Sequence, residues 1–160
     1  MRRRSLLWTA AAAVIALLLP ACGSGPEAPA YEDETVMGEG IVFEIHRSAY
    51  CACCGEYEDY LRERGVEVRE VVREDVVEVK EAYGIPQELY SCHTSIVGGY
   101  AVEGHVPLEV VIDLLETRPE VDVISLAGMP AGSPGMGGEK EGPWTIHEVR
   151  DGEIAVHTTW

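Results

Sequence analysis

The hydrophobic and polar positions of the chain alternate between strand-like and helix-like spacing. Residues 41–46 form a short run rich in β-branched and apolar side chains, which is typical of a buried strand, and residues 66–72 are a second strand candidate. Between these runs, Cys54, Tyr57 and Leu61 recur at helical spacing. This pattern predicts a strand, a helix and a second strand, with the two strands parallel.

The next segment predicts a second helix, then a β-hairpin, then a third helix. Val76, Val79 and Tyr83 predict one buried face of a second helix. Gly98-Gly99 separates two strand-like runs, which predicts an antiparallel hairpin. Pro107 stands where proline commonly starts a helix. The apolar stripe of this third helix is Leu108, Val111, Ile112 and Leu115.

The C-terminal part adds strands without a further helix. Residues 121–124 predict a short strand, residues 127–142 a loop rich in Gly and Pro, and residues 144–149 and 154–160 a terminal hairpin. The fold class is therefore α/β, in the order β-α-β-α-β-β-α, with a C-terminal β-hairpin extension.

The N-terminus reads as a targeting segment. Three arginines at positions 2–4 precede an apolar run over residues 6–19, which is short for a membrane span. Leu19-Pro20-Ala21-Cys22 resembles the bacterial lipobox, which implies cleavage before Cys22 and acylation of its thiol. We therefore expect a lipoprotein signal peptide at residues 1–21, a flexible tether at 22–38 and one domain at 39–160. The mature chain would be exported and anchored to a membrane by lipid, on its periplasmic or extracellular side.

The charge balance narrows the range of partners. The chain has 12 Lys and Arg against 28 Asp and Glu, a formal charge of −16. Removing residues 1–21 takes away three arginines and no acids, which gives −19. Such a surface argues against nucleic acid as a partner, and we interpret it as a solvated acidic surface.

The candidate chemistry lies in the cysteines. Cys51, Cys53 and Cys54 fall on the loop and first turn of the first predicted helix, and Cys92 precedes His93 about forty residues later. Three interpretations are open: a metal site, a redox-active dithiol, or structural disulfides. Adjacent Cys53 and Cys54 are poorly placed to bridge each other, whereas a pairing between the cluster and Cys92 is feasible.

Metal binding accounts best for so many soft donors. Cys51, Cys53, Cys54, Cys92 and His93 offer more ligands than one four-coordinate ion requires. Thiolates select Cu(I) or zinc over Mg²⁺ or Ca²⁺, and an exported location favours copper. Zinc in a Cys₃His site fits the same residues. His105, Met129 and Met136 are weaker candidates, because a turn histidine explains His105 at least as well and a loop methionine more often serves packing alone.

The element order, with cysteines between the first strand and first helix, resembles the thioredoxin fold. Cys51 and Cys54 form its C-x-x-C, interrupted by Cys53. In that fold a cis-proline followed by threonine faces the cysteines, and here His93 stands in the proline's place before Thr94. The resemblance therefore implies that Cys92 and His93 face the cluster with two donors.

Four ordered motifs resemble one family more closely. They are Cys51-Ala-Cys53-Cys54-Gly55, Ser91-Cys92-His93-Thr94, Glu103-Gly104-His105-Val106-Pro107 and Gly128-Met-Pro-Ala-Gly-Ser-Pro-Gly-Met136. Together they look like a bacterial domain family of unknown function, the periplasmic metal-binding, CopG-like copper-resistance proteins. This implies copper sequestration, resistance or delivery, with a copper-receiving or copper-exporting protein as partner. We do not expect an enzyme, although a thiol–disulfide oxidoreductase of the cell envelope is the alternative.

Overall fold

The computed structural model describes residues 37–160, and the elements follow the predicted order. The strands are β1 (Val42–Ser48), β2 (Glu67–Arg73), β3 (His93–Val97), β4 (Tyr100–Glu103), β5 (Val123–Ser125), β6 (Thr145–Arg150) and β7 (Glu153–Thr159). The helices are α1 (Ala52–Arg62), α2 (Val77–Ala82) and α3 (Leu108–Thr117), with a 3-10 turn at Gln87–Leu89. The α/β fold class and its C-terminal hairpin are confirmed.

All seven strands belong to one sheet, in the order β2-β1-β3-β4-β5-β6-β7. β1 and β2 pair in parallel across α1, and β3 and β4 form the antiparallel hairpin, both as the sequence predicts. The terminal hairpin extends this sheet, because β6 pairs with β5 and leaves β7 as an outer strand.

The pairing of β1 with β3 brings the two cysteine-bearing segments to one end of the sheet. These strands are antiparallel, and Arg47 near the end of β1 lies opposite His93 at the start of β3. The chain leaving β1 leads directly to Cys51, whereas the chain approaching β3 contains Cys92. Both cysteine-bearing segments therefore lie at the same end of the sheet.

The hydrophobic core occupies both faces of the sheet. Successive residues of a strand point to opposite faces, so Val102 and Ala101 of β4 belong to different apolar clusters. The larger cluster includes α1 and α3, and in α1 Tyr57 and Leu61 are fully buried at the predicted helical spacing. α1 is thus held firmly against the sheet, with its N-terminus at the cysteines.

Two helices differ in detail from their predicted faces. In α2, Val79 is buried as expected, but Tyr83 is 40% exposed and Lys80 is almost completely buried. The helix is rotated because Lys80 reaches a carboxylate inside the protein. In α3, Val110 and Leu114 are also buried.

The predicted signal peptide at residues 1–21, Cys22 and nearly all of the tether lie outside the described residues. Gly38, at the end of the predicted tether, donates its N–H to the Arg64 carbonyl at 2.7 Å. Within residues 37–160, no helix combines the length and apolar character that crossing a bilayer requires.

Candidate metal centre

Three cysteines surround the N-terminus of α1. Cys51 occupies the N-cap position, and Cys53 and Cys54 lie in the first turn. Cys51 and Cys54 form a disulfide with their Cα atoms 5.4 Å apart, while Cys53 is a free thiol 3.6 Å from Cys51 Sγ. Of the disulfide pairings that the sequence allows, the structure therefore contains the one within the C-x-x-C, and Cys92 is not bonded to the cluster. The positive end of the helix dipole favours anionic sulfur at this position.

Cys92 faces this helix terminus from the other side. The sulfur atoms of Cys51, Cys53, Cys54 and Cys92 all lie within 4.8 Å of one another. Cys92 is the second free thiol of the described residues. Although they come from distant parts of the sequence, the four sulfurs thus share one small volume.

Two histidines extend the cluster into the protein interior. Cys92 Sγ lies 3.2 Å from His93 Nδ1 and 3.0 Å from His105 Nε2, and both imidazoles are completely buried. His105 follows β4 and His93 begins β3, so the hairpin brings them together. His105 therefore lies at the cluster, in direct contact with Cys92, and is not merely a residue of a surface turn.

The hydrogen bonds of His105 determine its tautomer. Its Nδ1 lies 2.6 Å from the Pro134 carbonyl oxygen, which can only accept, so Nδ1 carries the proton. In the neutral ring Nε2 then keeps a lone pair directed at Cys92. In metal-bound histidines, the N–H of the second ring nitrogen usually donates a hydrogen bond to a backbone carbonyl or a carboxylate in this way.

Burial controls the protonation of the cluster. Burial, followed by the effect of nearby Cys53, raises the pKa of Cys92 to about 12, so its thiol stays protonated at neutral pH. Burial also lowers the pKa of His93 and of His105, and the positive charge of Lys80 contributes to the decrease at His93. Both imidazoles are therefore neutral at neutral pH, which is the form that binds metals.

The donor set fits a soft metal ion. The ring nitrogen of His93 that faces Cys92 is Nδ1, whereas Nε2 is buried without a hydrogen-bond partner among the described residues. An ion beside Cys92 would therefore be bound by His93 Nδ1. Four sulfurs and two imidazoles are the ligands preferred by Cu(I) and zinc. Cys92, His93 and His105 form a second group within 4.8 Å that shares its thiol with the first.

Tyr57 packs directly against both histidines. Its ring centroid lies 4.9 Å from that of His93 and 5.1 Å from that of His105. Its hydroxyl donates to the Val106 carbonyl at 2.8 Å. The sequence identified Tyr57 only as a core residue of α1, but it also supports the buried side of the cluster.

Residues 128–136, here called the methionine loop, cover the N-terminus of α1. Cys53 Sγ lies 3.7 Å from Met129 Sδ. Ser91 Oγ donates to the Gly128 carbonyl, and Pro134 accepts from His105. Met136 lies in the same loop, but none of the sulfur contacts found within residues 37–160 involves it. The structure thus brings Met129 to the cluster and leaves Met136 without such a contact.

A buried ion pair lies behind the cluster. Glu103 Oε1 accepts from Lys80 Nζ and from the Ser91 backbone N–H, both at 2.5 Å, and Oε2 accepts from the Thr94 hydroxyl at 2.6 Å. The carboxylate therefore holds both ends of the segment that contains Cys92 and His93. This ion pair is not evident from the sequence, because a lysine in a short helix is normally exposed.

Comparison with known proteins agrees with this architecture. The sequence profile described as "Protein of unknown function, DUF411" matches residues 89–136, which contain the second, third and fourth motifs. Two solved structures of the copper resistance protein copG are similar to the chain. Form 2 is 33% identical, with 76% of this chain and 99% of that chain covered and a TM-score of 0.70. Form 1 is 33% identical, with 74% and 96% covered and a TM-score of 0.68.

No match was found among curated proteins. The solved relatives nevertheless share a third of their residues with this chain over almost their whole length. Because that identity extends over almost the whole of the relatives and the family profile matches the segment with the second, third and fourth motifs, the chain belongs to the DUF411 family of CopG-like copper-resistance proteins.

Proposed function

We propose that this protein binds Cu(I) through the cysteine–histidine cluster outside the cytoplasm, for copper sequestration, resistance or delivery. The observation that carries the proposal is the convergence of four sulfur atoms from two distant segments within 4.8 Å. The proposed ligands are Cys51, Cys53, Cys54, Cys92 and His93. The contact between His105 Nε2 and Cys92 adds His105 to this set.

Several features favour monovalent copper over zinc. Cu(I) prefers thiolate and thioether sulfur, and the methionine loop adds a thioether beside the thiols. Related structures are those of a protein described as a copper resistance protein. Zinc in a Cys₃His site is the competing occupant and would use the same side chains.

Full use of the cluster requires reduction of the Cys51–Cys54 disulfide. A dithiol reductant supplies two electrons and two protons, which convert the disulfide to two thiols while the reductant becomes a disulfide. Metal binding then releases protons from the ligating thiols, including that of Cys92. Binding should therefore require reducing conditions and become tighter as pH rises, because protons compete with the metal for sulfur.

A titration of the reduced protein with Cu(I) tests the proposal. The wild type is compared, without oxygen, with the double variant Cys92→Ser/His93→Ala in competition with a chromogenic Cu(I) chelator. We expect affinity to fall by about 100-fold or more, since even residues that only support ligands contribute 10- to 100-fold. His157→Ala is the control, because His157 pairs with Glu148 on the terminal hairpin.

The two variants have distinct consequences. The control should bind like the wild type, and a weakened control would mean that histidine loss at any position affects the protein. Unchanged tight binding in the double variant would remove Cys92 and His93 from the site. Tighter binding of zinc than of Cu(I) in parallel competitions would identify zinc as the preferred ion.

We also propose that a lipid on Cys22 tethers the domain to a membrane. The support is the Leu19-Pro20-Ala21-Cys22 sequence behind an apolar run. The mature chain would begin at an acylated Cys22, and residues 22–38 would link the anchor to the domain. Intact-mass measurement of the membrane-extracted protein checks this, and a mature chain that begins elsewhere contradicts it.

A thiol–disulfide oxidoreductase is the second candidate function, and the Cys51–Cys54 disulfide supports it. Cys51 is partly exposed and Cys54 is completely buried, so Cys51 would attack substrates and Cys54 would resolve the mixed disulfide. His93 at the position of the thioredoxin cis-proline weakens this alternative, because that proline shapes the peptide-binding side of such enzymes.

Insulin reduction separates the two functions. An oxidoreductase should accelerate reduction by dithiothreitol, and the Cys54→Ser variant should accumulate a mixed disulfide on Cys51 that mass spectrometry detects. A rate no greater than that of dithiothreitol alone, without a trapped adduct, would exclude this activity on insulin.

A further inference from the structure

The donors of the cluster differ in their access to solvent. Cys54, His93 and His105 are completely buried, whereas Cys51, Cys53 and Cys92 are partly exposed. Met129, in contact with Cys53, is 48% exposed and is the most exposed of these donors. A metal ion that arrives on the Met129 side of the cluster therefore meets the thioether and the Cys53 thiol before it reaches the imidazoles.

Met129 is held at this position by the rest of the methionine loop. The Gly128 carbonyl accepts from Ser91 on one side of it, and Pro134 accepts from His105 on the other. Directly after the second anchor, Gly135 lies so close to the backbone of α1 that an added Cβ would lie 2.5 Å from the Tyr57 nitrogen. The loop is thus fixed at both ends, and the contact between Met129 and Cys53 follows from that fit.

The chemistry of a thioether suits transient binding. Methionine sulfur is soft and polarizable, and it binds Cu(I) without first losing a proton. A thiol must deprotonate before it becomes a strong ligand. An exposed thioether beside a thiol can therefore take a soft ion from another carrier while the thiol loses its proton.

We propose that Met129 is a gateway ligand, through which Cu(I) passes between solvent or a donor molecule and the cluster, with Cys53 as the next ligand. This inference rests on the proposed function and adds a route to it. Met129 lowers the barrier to exchange in both directions and contributes little to affinity, because the buried donors hold the metal once it has passed inward. The same residue favours Cu(I) over zinc during uptake, since the usual protein ligands of zinc are Cys, His, Asp and Glu and not the methionine thioether.

Matched methionine variants test this role. Met129→Leu and Met136→Leu each remove one thioether from the same loop and retain an apolar side chain of similar volume. Stopped-flow absorbance follows the transfer of Cu(I) from a chromogenic chelator to the reduced protein, and the return after excess chelator is added. Equilibrium competition gives the affinity, and thermal unfolding without metal checks that the fold is unchanged.

We expect Met129→Leu to slow transfer about tenfold in both directions, which corresponds to the loss of one modest interaction along the path. Its affinity should stay within about twofold of the wild type, because both rate constants change by the same factor. Met136→Leu should match the wild type in rate and affinity, since the contact with Cys53 belongs to Met129.

Each other outcome has a definite meaning. Equal rates for Met129→Leu and Met136→Leu, with the wild type taking up Cu(I), would overturn the gateway role and leave the proposed function intact. Faster release with unchanged uptake would also overturn it, because Met129 would then be a resident ligand. Failure of the wild type to bind Cu(I) would overturn the proposed function and the gateway role together.

Discussion

Gly135 is a residue at which the methionine loop lies close to the backbone of α1. Its φ is +74°, and an added Cβ would lie 2.5 Å from the Tyr57 nitrogen and 2.8 Å from the Tyr57 Cα. The neighbouring Pro134 carbonyl accepts from His105 and thereby selects the tautomer of that imidazole. A glycine at this position thus allows the loop to control a proposed metal ligand.

Gly135→Ala should displace the methionine loop, whereas Gly128→Ala should not. Both positions have positive φ, so each alanine costs about 1–2 kcal/mol in backbone strain. At Gly128, however, an added Cβ meets no other described atom within 4 Å. We expect NMR of the metal-free protein to show the His105 Nδ1 proton protected in wild type and Gly128→Ala, and exchanging rapidly in Gly135→Ala. Equal protection in the two variants would contradict this account of the loop.

At the scale of elements, the Glu103 carboxylate connects α2 to the β3–β4 hairpin. It binds Lys80 from α2, the Thr94 hydroxyl in β3 and the Ser91 N–H just before β3. Both charged side chains are at most 2% exposed. The six-residue α2 has few other buried contacts, since only Val79 and Lys80 are buried in it. The ion pair therefore fixes both the helix and the segment that contains Cys92.

Glu103→Gln should destabilise the fold strongly. It leaves the Lys80 ammonium buried without a counter-ion, and breaking a buried pair in this way costs about 3–5 kcal/mol. The double variant Lys80→Met/Glu103→Gln removes both charges and should recover a large part of that loss. Urea unfolding of the metal-free single and double variants measures the difference.

The double-mutant cycle has a clear negative outcome. If the free energies of unfolding of Lys80→Met and Glu103→Gln simply add in the double variant, the two side chains do not interact in the folded protein. Arg69→Met, which removes the partner of Glu67 in a pair exposed on both sides, is a suitable surface comparison and should cost about 1 kcal/mol or less.

At the scale of the whole molecule, the order and type of elements could be predicted from the sequence. Most strands and helices have their own periodicity, and several are followed closely by Gly or Pro, as β3 is by Gly98 and α3 by Pro119, so local patterns are sufficient. The meeting of Cys51 and Cys92 could also be predicted, because it follows from strand order in a thioredoxin-like sheet. Their ligand roles, including that of His93, stay predictions.

The remaining part of the cluster depends on contacts without a local pattern. The bond between His105 and Pro134 joins a strand end to a loop 29 residues later, and no periodicity fixes the path of that loop. The ion pair between Lys80 and Glu103 could not be predicted for another reason. Charged residues in an amphipathic pattern are normally assigned to the surface. The disulfide depends on redox conditions, which no sequence specifies.

The cluster draws its donors from segments far apart in the chain, and the proposed copper binding would therefore link copper supply to the lifetime of the protein. Only the folded chain brings Cys92, His93 and His105 to the helix terminus, so an unfolded chain offers the metal little more than its local cysteines. A ligand that prefers the folded state stabilises it by about 2.7 kcal/mol when present at 100 times its dissociation constant. Proteases degrade chains that open, so the metal-loaded protein should survive longer than the empty one. Abundance would then rise with available copper without any change in synthesis.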